Sequence, residues 1–412
     1  MKKLLGITLG IMTALGGFVD IGQIVFTMQA GALFGYHLAW AVFLGTAAII
    51  VYMEMCGRIA VVAKEPVFSV VRDCLGYRFG LVTLVAANLL HVITCAAELG
   101  GIAIVLHLIT GWPERVLLVA AAVIFAAMVF FFRFQWIERT LGLSGLLMIV
   151  FAVSAVRLHP SWGEVGRGFI PSAPGGGTPQ LLLYAYFAVG IFSAMLMEYE
   201  VHFYSSGAME EDWKPKDLSE NFMVAALGSI LGAGLTMALL VLGALLFLPR
   251  GIFPDIVSTT MMPAAVTFGP GALLIGFLGT IACLGGSAVE TALSGAYNIC
   301  QFFHLPWGKN LPVKRVPVFT RSWLGMFLLA LLIGITGVEP LQLVNISVVF
   351  GMAILPLTYY PILRIAANRR IMGKHVNGPL DTAIGMVFLL LIVAAALAAI
   401  PLMIVTHSGR PL

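Results

Sequence analysis

The residues most capable of chemistry lie in two stretches that are otherwise apolar. The first runs from about residue 6 to 31 and contains Asp20, Gly22 and Gln23. An ionised aspartate within such a run is costly in hydrocarbon unless it faces a cavity or a partner. The glycines around Asp20 would let a helix unwind there, which would free backbone carbonyls to coordinate an ion. The alternative is a glycine cluster that packs helices, with Asp20 neutral or in a salt bridge.

The second stretch places Met195, Met197, Glu198, Glu200 and His202 within about two turns of one helix. Methionine usually fills a core, and packing is the better explanation for Met195. Met197 stands beside Glu198, and a thioether with carboxylates favours a transition metal such as Mn²⁺, Fe²⁺ or Co²⁺. Glu200 and His202 have an alternative explanation, which is a water-filled vestibule on the cytoplasmic side.

Two further groups of polar residues interrupt apolar runs. His91, Cys95 and Glu98 follow one another at i, i+4 and i+7 and therefore share one helix face. We expect Glu98 to belong to a proton or ion path, and His91 and Cys95 to pack. Glu54 and Arg58, at i and i+4, are most simply an ordinary helix ion pair.

About eleven apolar runs, each long enough to cross a bilayer, account for most of the 412-residue chain. Of its residues 60% are hydrophobic and 10% are charged, whereas a soluble domain has about 25% charged residues. This composition predicts an all-α membrane protein. The predicted spans lie at about 6–31, 36–62, 79–108, 115–132, 138–156, 181–208, 219–248, 269–301, 319–337, 341–363 and 382–406. The sequence contains no nucleotide-binding loop, zincin motif or catalytic triad, so we expect neither an ATPase nor another enzyme.

The basic residues indicate which side of the membrane each loop occupies. With the amino terminus in the cytoplasm, 18 of the 23 Lys and Arg residues fall in cytoplasmic segments. Cytoplasmic loops carry the excess of basic residues in membrane proteins. We therefore expect a multi-pass protein of the cell (inner) membrane, with its amino terminus inside and its carboxyl terminus outside.

A loop rich in Pro and Gly at 157–180 divides the spans into two halves. Halves of about five spans each predict an inverted repeat within one transporter domain that covers residues 1–412. Repeat one would run from about 6 to 156, repeat two from about 181 to 363, and an extra helix from about 382 to 406. Transporters of this kind bind substrate near the midplane, where the first helix of each half is broken.

Several short motifs, in the right order along residues 8–374, give the chain a family resemblance. They are Gln29-Ala30-Gly31-Ala32-Leu33-Phe34-Gly35-Tyr36-His37-Leu38-Ala39-Trp40, Ala188-Val189-Gly190-Ile191 and Asn368-Arg369-Arg370-Ile371-Met372-Gly373. At these residues the chain resembles the NRAMP family (natural resistance-associated macrophage proteins). The resemblance implies divalent-metal transport and a leucine-transporter-like 5+5 inverted repeat with broken helices one and six.

The family binds metal through an Asp-Pro-Gly-Asn break in helix one and an Ala-x-x-Met-Pro-His break in helix six. The first break here keeps the Asp and the Gly, but Ile21 and Gln23 replace Pro and Asn. The second keeps the Ala and the Met, but Glu198 and Tyr199 replace Pro and His. The resemblance therefore implies metal contacts from the Asp20 carboxylate, the Gln23 amide, the Ala194 carbonyl and the Met197 sulfur.

The family's proton route shows the largest differences. Its helix three carries Asp and Glu three residues apart, where this chain has Cys95 and Glu98. A thiol is a poor proton relay, and the phenol of Tyr199 stays protonated at neutral pH. The family's usual proton coupling is therefore in question. Any coupling would use Glu98 and Glu198, with Tyr199 and Arg321, which matches a family arginine in helix nine, as pathway or gating residues.

These observations predict a secondary transporter of divalent metal cations that works by alternating access. We place Mn²⁺ and Fe²⁺ ahead of Mg²⁺, because Met197 has little to offer a strongly hydrated ion. The alternative is a cation-coupled transporter of a small organic solute such as an amino acid, although Asp20 would repel an anionic group. A membrane sensor is a third alternative. We expect no cofactor besides the transported ion, and no partner besides that ion and membrane lipid: no nucleic acid and no obligatory protein.

Overall fold

The computed structural model describes residues 19–172, 174–175, 177–254 and 257–410, and these residues fold without any β-strand. The α-helices, in chain order, are α1 (Ile21–Phe34), α2 (Ala39–Ala63), α3 (Val67–Leu75), α4 (Tyr77–Thr110), α5 (Glu114–Phe131), α6 (Phe134–Gly145), α7 (Ile149–Arg157), α8 (Trp162–Arg167), α9 (Thr178–Ala194), α10 (Glu198–Glu210), α11 (Leu218–Leu242), α12 (Val257–Phe268), α13 (Pro270–Phe302), α14 (Pro317–Ile335), α15 (Pro340–Ala366), α16 (Arg369–Met372) and α17 (Pro379–Val405). The first part of the predicted first span, including Gly16 and Gly17, lies outside the described residues.

Ten helical segments in the described part of the chain are long and apolar enough to cross a membrane. They coincide with the second to eleventh predicted spans to within about four residues at each end, so the polytopic all-α prediction is confirmed. The sequence did not predict α3, α8, α12 and α16, because each is too short to be recognised as a membrane span. The amphipathic α3, for example, buries Val67 and Phe68 and exposes Asp73.

Prolines define where several of the long helices begin. Pro270, Pro317, Pro340 and Pro379 each occupy the first position of a helix. Proline is suited to that position because its fixed φ is already helical and its missing N–H would have no intrahelical partner there. Each of these helices therefore has a defined start from local sequence alone.

Two glycines bring the backbones of α1 and α11 into direct contact. A β-carbon on Gly31 would lie 2.2 Å from the Leu240 carbonyl oxygen, and one on Gly243 would lie 2.3 Å from that of Met28. No other residue fits at either position without displacing backbone atoms. The chain forms a π-helical turn at Gly243–Phe247 beside this crossing, a local irregularity that often occurs near functional sites.

The helix predicted to break in the second half does break. The helix α9 ends at Ala194 and α10 begins at Glu198, and the intervening residues are buried. The Leu196 carbonyl, freed from helical bonding, accepts a hydrogen bond of 2.9 Å from the Tyr359 hydroxyl of α15. This partner explains how an irregular backbone is tolerated inside a buried segment.

Candidate functional site

Asp20 caps the beginning of α1. Its Oδ1 accepts a hydrogen bond of 2.7 Å from the Gln23 backbone N–H, and the Gln23 Oε1 accepts one of 3.2 Å from the Asp20 N–H. This reciprocal pair is a capping box, which satisfies backbone donors that the first turn leaves free. The carboxylate is almost fully buried. It is therefore positioned by local structure at the predicted break.

The Gln23 side chain links the two predicted breaks. Its Nε2 donates a hydrogen bond of 2.9 Å to the Ala194 carbonyl at the end of α9, 171 residues away in sequence. Three of the four predicted metal ligands, Asp20, Gln23 and Ala194, are therefore in one connected group. A cation that binds both the Gln23 amide and the Ala194 carbonyl would take the place of the hydrogen bond that now joins these two groups.

The fourth predicted ligand, Met197, is buried at the residue before α10. Its sulfur lies 3.7 Å from the position that a β-carbon on Gly351 would take, so it lies close to α15. The Met195 sulfur also lies beside the Gln23 amide, with Nε2 and Sδ 3.8 Å apart. Met195 also packs as the sequence predicts, since its β-carbon leaves no room for a side chain at Gly45.

A row of hydroxyl groups connects Asp20 to Glu98. The Tyr199 hydroxyl donates to the Asp20 Oδ2 over 3.3 Å and lies 3.3 Å from the Ser287 Oγ. Ser287 in turn donates to the Glu98 Oε1 over 3.1 Å. The sequence did not point to Ser287. The available signal was its position three residues before Glu290 on an apolar helix, where the two polar groups share a face.

This row has three contacts but only two hydroxyl protons. When Asp20 and Glu98 are both ionised, only two of the contacts can be hydrogen bonds, because Tyr199 and Ser287 each donate one proton. One proton on either carboxyl group completes the third bond and fixes the direction of all three. The arrangement can therefore hold one proton between the two carboxyl groups. The proton passes from one carboxyl group to the other when each hydroxyl accepts a proton from one neighbour and gives its own to the next.

Glu198 is held between two histidines. One carboxylate oxygen lies 2.5 Å from the His91 Nε2 on α4, and the other lies 2.5 Å from the His202 Nδ1 one turn along α10. The prediction that His91 only packs is wrong, because its ring contacts the Glu198 carboxylate. The two residues are 107 positions apart and lie on different helices, so the spacing of polar residues along α4 does not reveal the contact. The vestibule explanation for Glu200 and His202 is also wrong, since both side chains are buried.

The triad of His91, Glu198 and His202 is a hydrogen-bonded group. Within the described residues, no set of three or more His, Cys, Asp or Glu side chains has the arrangement that would hold a metal ion. The cation candidate is therefore the mixed set of carboxylate, amide, carbonyl and thioether at the two breaks.

The remaining predicted residues lie apart from this group. Arg321 is exposed, and its Nε donates to the Pro317 carbonyl one turn away over 3.2 Å. No ion pair joins it to a carboxylate in the described ranges. The Cys95 thiol faces the Ala288 carbonyl at 3.7 Å. Glu54 and Arg58 form the expected ion pair, with contacts of 2.8 and 2.9 Å.

Comparison with known sequences gives matches over nearly the whole chain. The model of the family described as "natural resistance-associated macrophage protein-like" (Nramp) matches residues 10–401. The divalent metal cation transporter MntH of Agrobacterium fabrum is 25% identical over 397 residues, which cover 92% of this chain and 83% of the relative. MntH of Bacillus subtilis is 24% identical over 392 residues, or 92% and 87% of the two chains.

Comparison with solved structures gives matches to the same overall architecture. The crystal structure of the Eremococcus coleocola manganese transporter superposes with a TM-score of 0.76 at 19% identity, over 100% of this chain and 89% of that one. Mhp1, a nucleobase-cation-symport-1 family transporter, superposes with a TM-score of 0.62 at 15% identity, over 98% and 93%. At these identities the likeness concerns the fold, which is the leucine-transporter-like arrangement expected from the sequence.

Proposed function

Because the chain belongs to the Nramp family, we propose that it is a secondary transporter that moves divalent metal cations across the membrane by alternating access. The observation that carries the proposal is the contact between the two breaks. Asp20 and Gln23 at the start of α1 meet the Ala194 carbonyl at the end of α9. Relatives that match over most of this chain are named divalent metal cation transporters.

The proposed ligands are the Asp20 carboxylate, the Gln23 amide, the Ala194 carbonyl and the Met197 sulfur. All four belong to buried residues at or beside the two helix ends. We rank Mn²⁺ and Fe²⁺ ahead of Mg²⁺, because a thioether and an amide add little for an ion that prefers oxygen ligands and keeps its water. The E. coleocola protein with the similar fold is described as a manganese transporter, which supports the choice of Mn²⁺.

The proposed setting is the cytoplasmic membrane, with the amino terminus inside and the carboxyl terminus outside. The distribution of the 23 basic residues supports this orientation. Two repeats, at about 6–156 and 181–363, would rock around the site, with α17 added as the extra helix. An organic-solute transporter is the less favoured alternative, because the relatives named above are metal transporters and Asp20 is anionic.

Uptake into proteoliposomes tests the proposal. The purified chain should take up ⁵⁴Mn²⁺ and ⁵⁵Fe²⁺ faster than ²⁸Mg²⁺ or ⁴⁵Ca²⁺, with and without a pH gradient. The matched control is Asp212→Ala, which removes an exposed carboxylate between α10 and α11 and should leave uptake unchanged. Uptake of none of the four ions by the parent would contradict the proposal, as would full Mn²⁺ uptake by Asp20→Ala.

Proton coupling, where it survives, would use Glu98 and Glu198. Glu98 is joined to Asp20 through two hydroxyls, and Glu198 follows the proposed ligand Met197 and contacts two histidines. Tyr199 supplies one of the two hydroxyls that join Glu98 to Asp20. Arg321 lies near the exposed beginning of α14, where it would act as a pathway or gating residue.

Vesicles loaded with a pH-sensitive dye test the coupling proposal during Mn²⁺ uptake. The parent should acidify or alkalinise the lumen in step with Mn²⁺ entry, and Glu98→Gln and Glu198→Gln should each reduce proton movement more than metal movement. Metal entry without proton movement in the parent would leave a uniporter. Coupled movement that persists in both variants would mean that protons take another route.

A further inference from the structure

Glu98 lies at the same helix end as Asp20. Its Oε1 accepts a hydrogen bond of 3.2 Å from the backbone N–H of Ile21, the residue that follows Asp20. The first turn of α1 therefore meets two carboxylates, one from its own capping residue and one from α4. The N–H groups at a helix start attract negative charge, so this is a position that suits carboxylate oxygens.

The other Glu98 oxygen is unused. In the described part of the chain the Oε2 has no hydrogen-bond partner, although the side chain is 0% exposed. Leaving a buried polar atom without a partner is unfavourable, and more so for a charged group. The Ile21 N–H and the Ser287 hydroxyl fix the carboxylate through Oε1, so the free oxygen is held in place for another partner.

We propose that Glu98 supplies a second anionic ligand to the transported cation, through its Oε2, and thereby determines how well charge-dense divalent ions bind. This inference rests on the proposed function, since it adds a residue to the same cation site. The site would then contain two carboxylates with one amide, one carbonyl and one thioether. Such a set is more oxygen-rich than the four ligands expected from the sequence.

The second carboxylate affects hard and soft cations differently. Ca²⁺ and Mg²⁺ are held almost entirely by oxygen ligands, and carboxylates are the strongest of these. Cd²⁺, a softer ion, gains additional affinity from ligands such as a thioether. Neutralising Glu98 should therefore weaken Ca²⁺ more than Cd²⁺, whereas removal of a thioether should do the reverse.

Calorimetric titration of the purified full-length chain in detergent tests this inference. In Glu98→Gln we expect Ca²⁺ affinity to fall by about tenfold or more and Cd²⁺ affinity by about threefold, so the Cd²⁺ to Ca²⁺ preference rises. The matched control is Cys95→Ala, which changes a buried side chain one turn away on α4 and should leave the preference unchanged. An unchanged preference in Glu98→Gln would overturn the inference.

Glu98→Asp covers the case in which the glutamine variant does not fold. It keeps the charge but shortens the side chain by one methylene, so a direct ligand would be withdrawn and Ca²⁺ affinity should again fall. Parent-like affinity for both ions in a folded Glu98→Asp would contradict the inference. Absence of Cd²⁺ and Mn²⁺ binding by the parent would instead contradict the proposed function, so the two failures are distinguishable.

Discussion

At the scale of single residues, Asp20 combines two roles. It is the capping residue of α1, and it is the only charged group among the four ligands expected from the sequence. The two roles can be separated chemically. Asparagine caps helices about as well as aspartate, whereas alanine does not cap them.

Substitutions at Asp20 should therefore affect binding and stability differently. Asp20→Asn should keep the melting temperature close to that of the parent but lose Mn²⁺ binding, because the anionic ligand is gone. Asp20→Ala should abolish Mn²⁺ binding and also cost about 1 kcal/mol of stability through the lost cap. Calorimetry and thermal unfolding in detergent measure the two effects. Mn²⁺ affinity like that of the parent in Asp20→Asn would remove Asp20 from the site.

The two methionines near the break should also differ. Met197→Ala should narrow the preference for Cd²⁺ or Mn²⁺ over Ca²⁺ and Mg²⁺, because a thioether favours softer ions. Met195→Ala is the matched control, since its β-carbon packs on Gly45. Competition binding measures both variants. If Met195→Ala shifts the preference and Met197→Ala does not, the sulfur beside the Gln23 amide is the ligand.

Residue types and spacing are sufficient to predict a helix break at Asp20 and a second one in the matching span of the other half. Gln23 and Ala194 became candidate ligands only through the family resemblance. They are insufficient for contacts that depend on how helices pack. The bond between His91 and Glu198 joins α4 to α10, and a single sequence contains no information about which of their faces meet. Ser287 has a local signal in its spacing from a second polar residue on α13, but its contacts with Tyr199 and Glu98 depend on helix packing in the same way.

At the scale of helices, the long apolar segments could be predicted nearly to their ends, because hydrophobic length and proline starts are local signals. The close crossing of α1 and α11 could not, because a glycine inside an apolar helix is equally compatible with lipid contact. The structure separates the two cases. A β-carbon on Gly243, in the π-helical turn that continues α11, would collide with the Met28 backbone, whereas Gly234 on α11 has nothing within 4 Å of its β-carbon position.

These two glycines should respond in opposite ways to alanine. Gly243→Ala should force α1 and α11 apart and cost about 1–3 kcal/mol or more, since backbone atoms cannot move aside as a flexible side chain can. Gly234→Ala should be neutral or stabilising by up to about 1 kcal/mol. Melting temperatures in detergent measure the difference. Equal melting temperatures for the two variants would show that the crossing is looser than described.

At the scale of the whole molecule, the orientation in the membrane is the property that the fold leaves open. Cys74 offers a native reporter, because it is the exposed cysteine among the five in the sequence and lies on α3, which we expect on the cytoplasmic side. Partial burial, followed by the nearby Asp73 carboxylate, raises the pKa of its thiol above the usual value.

An impermeant maleimide should therefore label Cys74 in permeabilised cells and not in intact ones. The thiolate is the form that reacts with a maleimide, and its share grows with pH until the pKa of the thiol is reached. Because that pKa is raised, the labelling rate should still increase above pH 8, by up to about tenfold per pH unit. Ser172→Cys, in the exposed loop before α9, should be labelled in intact cells. Labelling of Cys74 in intact cells would show that the orientation is the opposite of the one proposed.

The length of α4 has a consequence for the lipid around the protein. Its 34 residues span about 51 Å, against about 30 Å of hydrocarbon. Even a tilt of about 40°, the upper end of the usual range, leaves about 39 Å along the bilayer normal. At least one end of α4 must therefore enter the headgroup layer. Tyr77 at its amino-terminal end and Trp112 beyond its carboxyl-terminal end are both exposed, as aromatic side chains at the two interfaces would be. We therefore expect the helix that carries Glu98 and His91 to be anchored at both surfaces, and membrane thickness to influence how far it can tilt.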